Sequence, residues 1–569
     1  RNSTAPYVVL LNSDTIVTEH WLDGLVACAE SDPEIGLVGP LSNTASWQSI
    51  PEVEAGDDWA TNALPEGMTI DQMGALVARY SGRLYPPMPL LNGFCVLIRR
   101  DVVDAIGYLD EETFEGYGEE DDYLFRAREA GWQGALADDV YVYHAQSRSY
   151  SHARRHALVR QSTERLLNKH GPHEIAEAVT FCRHSPVLEG IRARSQASVM
   201  RHKLTVRGRE QFGGRRLLFL LPITEPGGGA NVIIDEALAM REMGVDAQIF
   251  NKTGFRRSFE EAYPDLPVPV IYGSPEELRS LAGDYDAVIA SVYFTVEWLL
   301  PLVNSAHSPV LGYYVQGFEP YIYEHGTARY QQALNSYTVI PDLRLFTKTE
   351  WTRDEVLEHA DTRPSLVGVS VNIDLFRPRP LREGAWPERP LRIAAMIRPS
   401  TPYREPELTM NILRRASRTY PGKIQPVLFG TELGDEAFGT LSHDFPWLLA
   451  GVLNRKQVAW LFNEADIFVD FSSHQAMGLT ALEAMACGAA VVVPEYGGAK
   501  AFARHERNSL IADTTSPQAS WEALRRLIED HSLRRHLQRA AVKDVAMLFP
   551  ERSAAKILEV LFEKRVLAT

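Results

Sequence analysis

Cysteine is scarce. The 569 residues hold four, Cys28, Cys95, Cys182 and Cys487, widely spaced and never as a CxxC pair, which argues against a disulfide framework and against a structural zinc. A reducing, cytoplasmic setting is the expectation. Long apolar runs are missing as well: "LLFLL" at 217–221 stops at Pro222, far short of a bilayer span, and no signal peptide opens the chain. Membrane contact is therefore expected only at the periphery, at the inner face of the membrane or through an assembly complex. Positive charge is not in excess either. With 58 Lys and Arg against 74 Asp and Glu, the net charge of −16 leaves no general basic face for phosphate backbones, so no nucleic-acid partner is expected. The local exception runs from Arg192 to Arg216, where eight basic residues face one acid, Glu210. It reads as a solvated helix and hinge ending in Gly213-Gly214, with a membrane-surface patch as the alternative.

What is present is ordinary globular composition, 45% hydrophobic and 23% charged, over a length that suggests several domain-sized units. Residues 1–170 alternate strand-like runs ("YVVLL", "IGLVGP", "GFCVLIRR", "VYVYH") with helical ones around a turn-rich insert, Asn43 to Pro89. A helical and basic linker follows at 171–216. From Leu217 the alternation becomes regular in two successive series, 217–385 and 386–545, before a terminal helix at 546–569. That pattern is the mark of doubly wound parallel sheets, and two in succession place the default ligand site in the cleft at the carboxyl ends of their strands. In the first series "TEPGGGA" reads as a glycine loop, and "NVIIDEALAMREMG" as a helix capped by Asn231 and ended by Gly244.

The most specific stretch is "SSHQAMGLTALEAMACG", 472–488. A strand runs into a loop at His474 and Gln475. Gly478 then opens a helix through Leu479 and Thr480, with Glu483 inside it. A helix start offers unpaired N–H groups and partial positive charge to a diphosphate, and glycine lets the phosphate approach. A buried helix with a solvent-facing Glu is the bland alternative. This stretch resembles the retaining family 4 glycosyltransferases of the GT-B fold, whose signature is an acid, seven residues and a second acid. The resemblance implies that Glu483 holds the donor ribose and that Gln475 stands where the first acid faces the donor sugar; an amide there keeps the hydrogen bond but not the charge. It also implies that Arg398 and Arg404, in "AAMIRPSTPYRE", hold the diphosphate, and that Gly228 and Gly229 face donor and acceptor. No metal is required by that reaction.

The first unit resembles family 2 glycosyltransferases of the GT-A fold. "LLNSDTIV" carries their L-N-x-D strand end, which implies Asp14 as a ligand of Mg²⁺ or Mn²⁺ with Asn12 in support. An Asn-Ser-Asp helix cap would look the same. "FEGYGEEDDYLFRAREAGW" resembles their acidic motif; aligned on Arg126, it implies Glu119 and Glu120 in the leading places, Asp122 in the last, and Glu120 as base, with Asp121 one residue away as the ambiguity. His144, in "ADDVYVYHAQSRSY", implies a further metal ligand. The family's donor-binding half normally precedes the L-N-x-D strand, so a fragment boundary at residue 1 is the expectation.

The fold expected is thus α/β: a partial GT-A-like domain, then a GT-B fold of two Rossmann-like domains. The function expected is a two-module glycosyltransferase moving a sugar from a nucleotide-diphosphate donor to a glycan or lipid-linked glycan. The resemblance to rhamnan and O-antigen assembly enzymes implies rhamnose, an inverting metal-dependent first module and a retaining second one. A catalytically degenerate glycan-binding or scaffold module is the rival.

Overall fold

Two faces of apolar residues on each strand are what the sequence calls for, and the computed structural model builds sheets covered on both sides. It describes residues 4–56, 58–114, 117–145, 152–264, 266–303, 308–380 and 389–563, with the side chains of 152–157 and 159 left out. The segment "QSRSY" (146–150), the expected boundary at 385/386 and the end of the terminal helix lie outside the described residues. The chain splits into two compact units, Arg1–Met200 with Pro378–Arg382, and Arg201–Arg377 with Glu383–Thr569.

In the first unit a mixed sheet runs in the order Tyr7–Leu11, Cys95–Arg99, Ile35–Leu41, Gln133–His144, Thr15–Val17. Alternate residues of these strands enter opposite cores: Leu37, Val96 and Tyr141 pack on one face with Met73 and Phe125, while Val38, Leu97 and Val142 pack on the other with Leu25 and Cys28. The insert is not only turns. It contains the helix Ile70–Tyr80, opened by a capping box in which the Thr69 side chain takes the Gln72 N–H and the Gln72 side chain takes the Thr69 N–H.

The second unit has two all-parallel sheets. The first is ordered Val270–Gly273, Asp246–Lys252, Arg216–Leu220, Ala287–Ala290, Val310–Val315, Arg344–Thr347, Ser365–Leu366. The second is ordered Leu448–Leu449, Ile424–Phe429, Leu391–Met396, Ile467–Val469, Ala490–Pro494, Leu510–Ala512. Parallel strands buried on both faces read as continuous apolar runs, as "LLFL" and "AVVVP" do. The terminal helix Pro550–Phe562 returns from the second sheet to the first, where Ala554, Ile557 and Leu558 share a core with Ile233 and Phe219.

Two sequence expectations are corrected. The helix after the glycines spans Gly228–Glu242, so Gly228 and Gly229 are its first turn and not a loop before it. Asn231 does not cap it, because the cap is Gly227 and Asn231 lies inside the first turn, its N–H on the Gly227 carbonyl at 2.9 Å and its Oδ1 accepting the Tyr263 hydroxyl at 2.9 Å. The basic segment is a solvated face only in part: Lys203, Arg207, Arg209 and Arg215 are exposed. Most of it forms the helix Pro186–Phe212, in which Arg192, Arg194 and Arg201 are buried. In the first unit Arg192 donates to the Trp47 carbonyl at 2.8 Å and Arg194 to that of Tyr80. In the second, Arg201 forks onto Asp374 at 3.0 and 2.8 Å and also reaches Glu551. Buried guanidinium groups are tolerated because each finds oxygen acceptors.

Candidate functional site

In the second unit the candidate residues gather at the carboxyl end of the strands of the second sheet. The strand Leu391–Met396 leads to Arg398 and to the short 3₁₀ turn Pro402–Arg404, and the strand Ile467–Val469 leads to Asp470, Gln475 and Gly478. These loops are tied together by the Ser473 N–H on the Tyr403 carbonyl at 2.9 Å. Gly478 caps the helix Leu479–Cys487 with φ of 84°, a left-handed conformation natural to glycine. The first N–H groups of that helix, starting with Leu479 and Thr480, have no partner within it. Gly228 of the first sheet's helix faces this start: a Cβ there would lie 3.4 Å from the Leu479 side chain. Gly229 lies instead against the Gln316 side chain, whose buried Nε2 has no hydrogen-bond partner.

The charges are arranged for an anion with hydroxyl groups. Arg398 is exposed and Arg404 half-buried, and neither makes an ion pair among the described residues. Glu483, on the same helix, is buried at 6% exposure and takes no hydrogen bond among the described residues. Burial pushes its carboxyl up to about 8, against the pull of Arg455 and with the help of Asp235. Arg455 and Asp235 form a two-pronged pair at 3.0 and 2.5 Å that joins the helix Arg455–Glu464 to the helix Gly228–Glu242. A buried carboxyl without a partner is costly unless a ligand supplies the donors.

Gln475 departs from its sequence reading in its surroundings. Its Nε2 donates to Asp470 Oδ2 and to Ser472 Oγ, both at 2.9 Å, so the amide answers to a neighbouring carboxylate. Asp470 had no signal in the sequence, since it reads as one more strand-end residue. His474, which the same loop carries, packs against Tyr403, Trp351 and Tyr321 at ring distances of 5.0, 5.8 and 6.1 Å. It is held below its ordinary value by burial and by Arg404, although Glu355 opposes that.

In the first unit the step Gly93-Phe94 brings the two halves of the candidate site together. The Phe94 carbonyl accepts the Asn12 N–H at 2.9 Å, its ring stacks on His144 at 5.3 Å, and the Gly93 N–H donates to Glu120 Oε1 at 3.4 Å. Strand pairing sets Thr15 opposite His144 and so delivers Asp14 to the imidazole, with Asp14 Oδ1 at 3.4 Å from His144 Nε2. His144 Nδ1 lies 3.0 Å from the Thr44 carbonyl, which can only accept, so Nδ1 carries the proton there. In the neutral ring Nε2 then turns a lone pair toward a carboxylate oxygen, a donor set that fits a cation between them. Asn12, two residues before Asp14, is exposed.

The helix Glu119–Glu129 opens with four acids. Glu120 also accepts the Gly118 N–H at 3.2 Å, and its carboxyl is raised by burial and then by Glu119. Asp121 is raised well above its ordinary value by burial, Glu120 and Glu119. Glu119 Oε2 is buried and has no hydrogen-bond partner among the described residues. Asp122 is a correction. It is fully buried and bound by Arg126 at 2.9 Å, Lys169 at 2.7 Å and His170 at 2.8 Å. Burial would raise it, but those hydrogen bonds outweigh burial and bring it below its ordinary value. A carboxylate so engaged anchors the helix and is not placed to take a proton from a ligand.

Comparison with known proteins finds a family match in each of the two units. Residues 1–163 match the family described as glycosyltransferase like family 2, and residues 448–544 match glycosyl transferases group 1. The chain is a glycosyltransferase, with a family 2-like part followed by a group 1 part of the GT-B fold. It is similar to the D-inositol 3-phosphate glycosyltransferase of Paenarthrobacter aurescens (strain TC1), 24% identical over 59% of this chain and 94% of that one. It is similar over 98% of its own length to the O-antigen biosynthesis protein RfbC of Myxococcus xanthus, at 22% identity and over 47% of that protein. Among solved structures, Anabaena Alr3699/HepE in complex with UDP and glucose superposes with a TM-score of 0.50 at 18% identity, over 61% of this chain and 99% of that one. TarM does so with 0.50 at 9%, over 62% and 99%. These likenesses are of fold. Among the described residues no helix is long and apolar enough to cross a membrane.

Proposed function

We propose that the chain adds sugars from nucleoside-diphosphate donors to a growing surface polysaccharide. The observation that carries this reading is the buried Glu483 carboxyl, which takes no hydrogen bond among the described residues, on a helix whose preceding loop is tied to Tyr403, next to Arg404; neither Arg404 nor Arg398 makes an ion pair among the described residues. Glu483 accepts the ribose hydroxyls, while Arg398, Arg404 and the N–H groups of Leu479 and Thr480 hold the diphosphate. As the leaving diphosphate gains charge these donors stabilise it, and the acceptor hydroxyl enters on the face being vacated, so the anomeric configuration is retained. In the first unit Asp14 and His144 would hold Mg²⁺ or Mn²⁺, with Asn12 in support, and such an ion would supply positive charge to the donor diphosphate. Glu120, kept protonatable by its acidic neighbours, takes the proton of an acceptor hydroxyl, giving inversion. The similarity to an O-antigen biosynthesis protein supports a polysaccharide acceptor, and rhamnose from a deoxythymidine-diphosphate donor is the sugar to try first.

The test is release of nucleoside diphosphate from dTDP-rhamnose, UDP-glucose and GDP-mannose, with and without Mn²⁺. Metal-independent release abolished by Glu483→Ala, and a Mn²⁺-dependent part abolished by Glu120→Ala, are expected. No binding and no release with any donor would sink the enzymatic reading of this chain in favour of a glycan-binding scaffold.

A further inference from the structure

The chemistry around Gln475 goes one step further, and it rests on the reading that this residue meets the donor sugar. Gln475 is buried at 6% exposure, Asp470 at 8% and Ser472 at 1%. The Gln475 backbone is clamped, because its carbonyl accepts the Gly498 N–H at 2.6 Å and any Cβ on Gly497 would fall 2.4 Å from that oxygen. Ser472 is fixed from below, its carbonyl accepting the Thr514 hydroxyl at 2.7 Å. Only the side-chain amide of Gln475 is left to choose an orientation.

Proton bookkeeping around the amide makes that choice. Asp470 Oδ1 accepts both the N–H and the hydroxyl of Ser472. The single hydroxyl hydrogen of Ser472 is thereby used, so Ser472 Oγ has only lone pairs to offer its other neighbour. Asp470 Oδ2 likewise can only accept. Both oxygens lie 2.9 Å from the same end of the Gln475 amide, so that end must be the NH₂ group, and both its hydrogens are used. The reverse orientation would set a carbonyl oxygen against two oxygens with no hydrogen between them. Gln475 Oε1 takes no hydrogen bond among the described residues. It is the polar end of this side chain left for a ligand.

We infer that Asp470 is a positioning residue: directly and through Ser472 it holds Gln475 as a neutral contact that only accepts hydrogen bonds, so the site reads a donor-sugar hydroxyl as a hydrogen donor. A carboxyl group is still present, set behind the amide that makes the contact. A second consequence follows for residue choice at 475. A glutamate there would put two carboxylates within hydrogen-bond distance, and one of them would have to hold a proton. With glutamine the contact has nothing to titrate.

The test compares wild type, Gln475→Ala, Gln475→Glu, Asp470→Asn and the exchange Asp470→Asn with Gln475→Glu. Nucleoside diphosphate release from dTDP-rhamnose and UDP-glucose is followed between pH 5 and 9, and thermal midpoints confirm folding. Gln475→Ala and Asp470→Asn are each expected to lower kcat/KM about tenfold or more, mainly through KM for the donor. Gln475→Glu is expected to introduce an ionisation above the ordinary carboxylate range, with activity falling on one side of it. The exchange restores one carboxylate and one amide in contact, so activity within about threefold of wild type and a wild-type pH profile are expected. Wild-type kcat/KM in Asp470→Asn alongside an impaired Gln475→Ala overturns this inference and leaves the donor site standing. If Asp470→Asn does not fold, a Gln475→Glu profile without a new ionisation overturns it equally. An unimpaired Gln475→Ala shows instead that Gln475 does not meet the sugar, and donor release by no form at all brings down the proposed reaction itself.

Discussion

Replacing Glu483 by glutamine gives a perturbation whose sign and size both follow from the structure. The folded chain keeps the Glu483 proton up to about 8, whereas an unfolded chain releases it near the ordinary 4.5. Below 4.5 both states carry the proton and the residue is neutral toward stability. Between 4.5 and about 8 the unfolded state binds fewer protons, so stability falls as pH rises, by about 1.4 kcal/mol per pH unit. Across the whole window this amounts to about 5 kcal/mol, and above it the curve is flat. Glutamine has the same shape and never ionises. Calorimetric unfolding of the two proteins should therefore show Glu483→Gln gaining on wild type steadily from pH 5 to pH 8. Nucleoside diphosphate affinity should behave in the opposite sense. Ribose hydroxyls favour the carboxylate, so wild-type affinity rises with pH through the same window and the glutamine variant binds more weakly, without that rise. A stability difference that stays constant from pH 5 to 8, or equal UDP and dTDP affinity in both proteins at pH 8, would refute the assignment of this carboxyl.

Three further outcomes are expected. Asp235→Ala strands Arg455 in the buried contact between the two halves of the second unit and should cost about 3–5 kcal/mol in denaturant titration, whereas replacing both partners by leucine should cost less. Asp14→Ala and His144→Ala should each weaken Mn²⁺ binding, read from the paramagnetic signal of free ion, by at least the roughly 10–100-fold that loss of an outer-shell partner costs. Asp122→Ala leaves Arg126, Lys169 and His170 without their shared carboxylate and should lower the thermal midpoint by an amount equivalent to about 3–5 kcal/mol, while Glu120→Gln should leave the midpoint near wild type and remove the metal-dependent release.

Much of the fold was legible because its signals are local. Apolar runs of five or six residues punctuated by glycine and capped helices reach only a few neighbours along the chain, and the strands at 216–220, 391–396 and 490–494 lie where those runs lie. The helix after Gly478, with Glu483 inside it, was legible for the same reason. Its partnerless state was not, because burial of one carboxyl depends on everything packed around it.

What local pattern could not carry was the choice among equivalent polar residues. Asn231 looks like a helix cap, but the helix begins three residues earlier at Gly228, and the Asn231 oxygen accepts the hydroxyl of Tyr263, 32 residues away. Asp122 looks like one acid among four until Lys169 and His170 arrive from another helix. Arg192, Arg194 and Arg201 look solvated until carbonyls and carboxylates far along the chain meet them. The sequence by itself determined the α/β units and, through the resemblance its motifs carry, the glycosyltransferase class, since those motifs lie within single elements. Tertiary structure alone decided which carboxylates are bound and which are open, and that an aspartate five residues upstream orients Gln475. A hydrogen bond or ion pair is settled by the nearest partner in space, and folding chooses that partner without regard to distance along the chain.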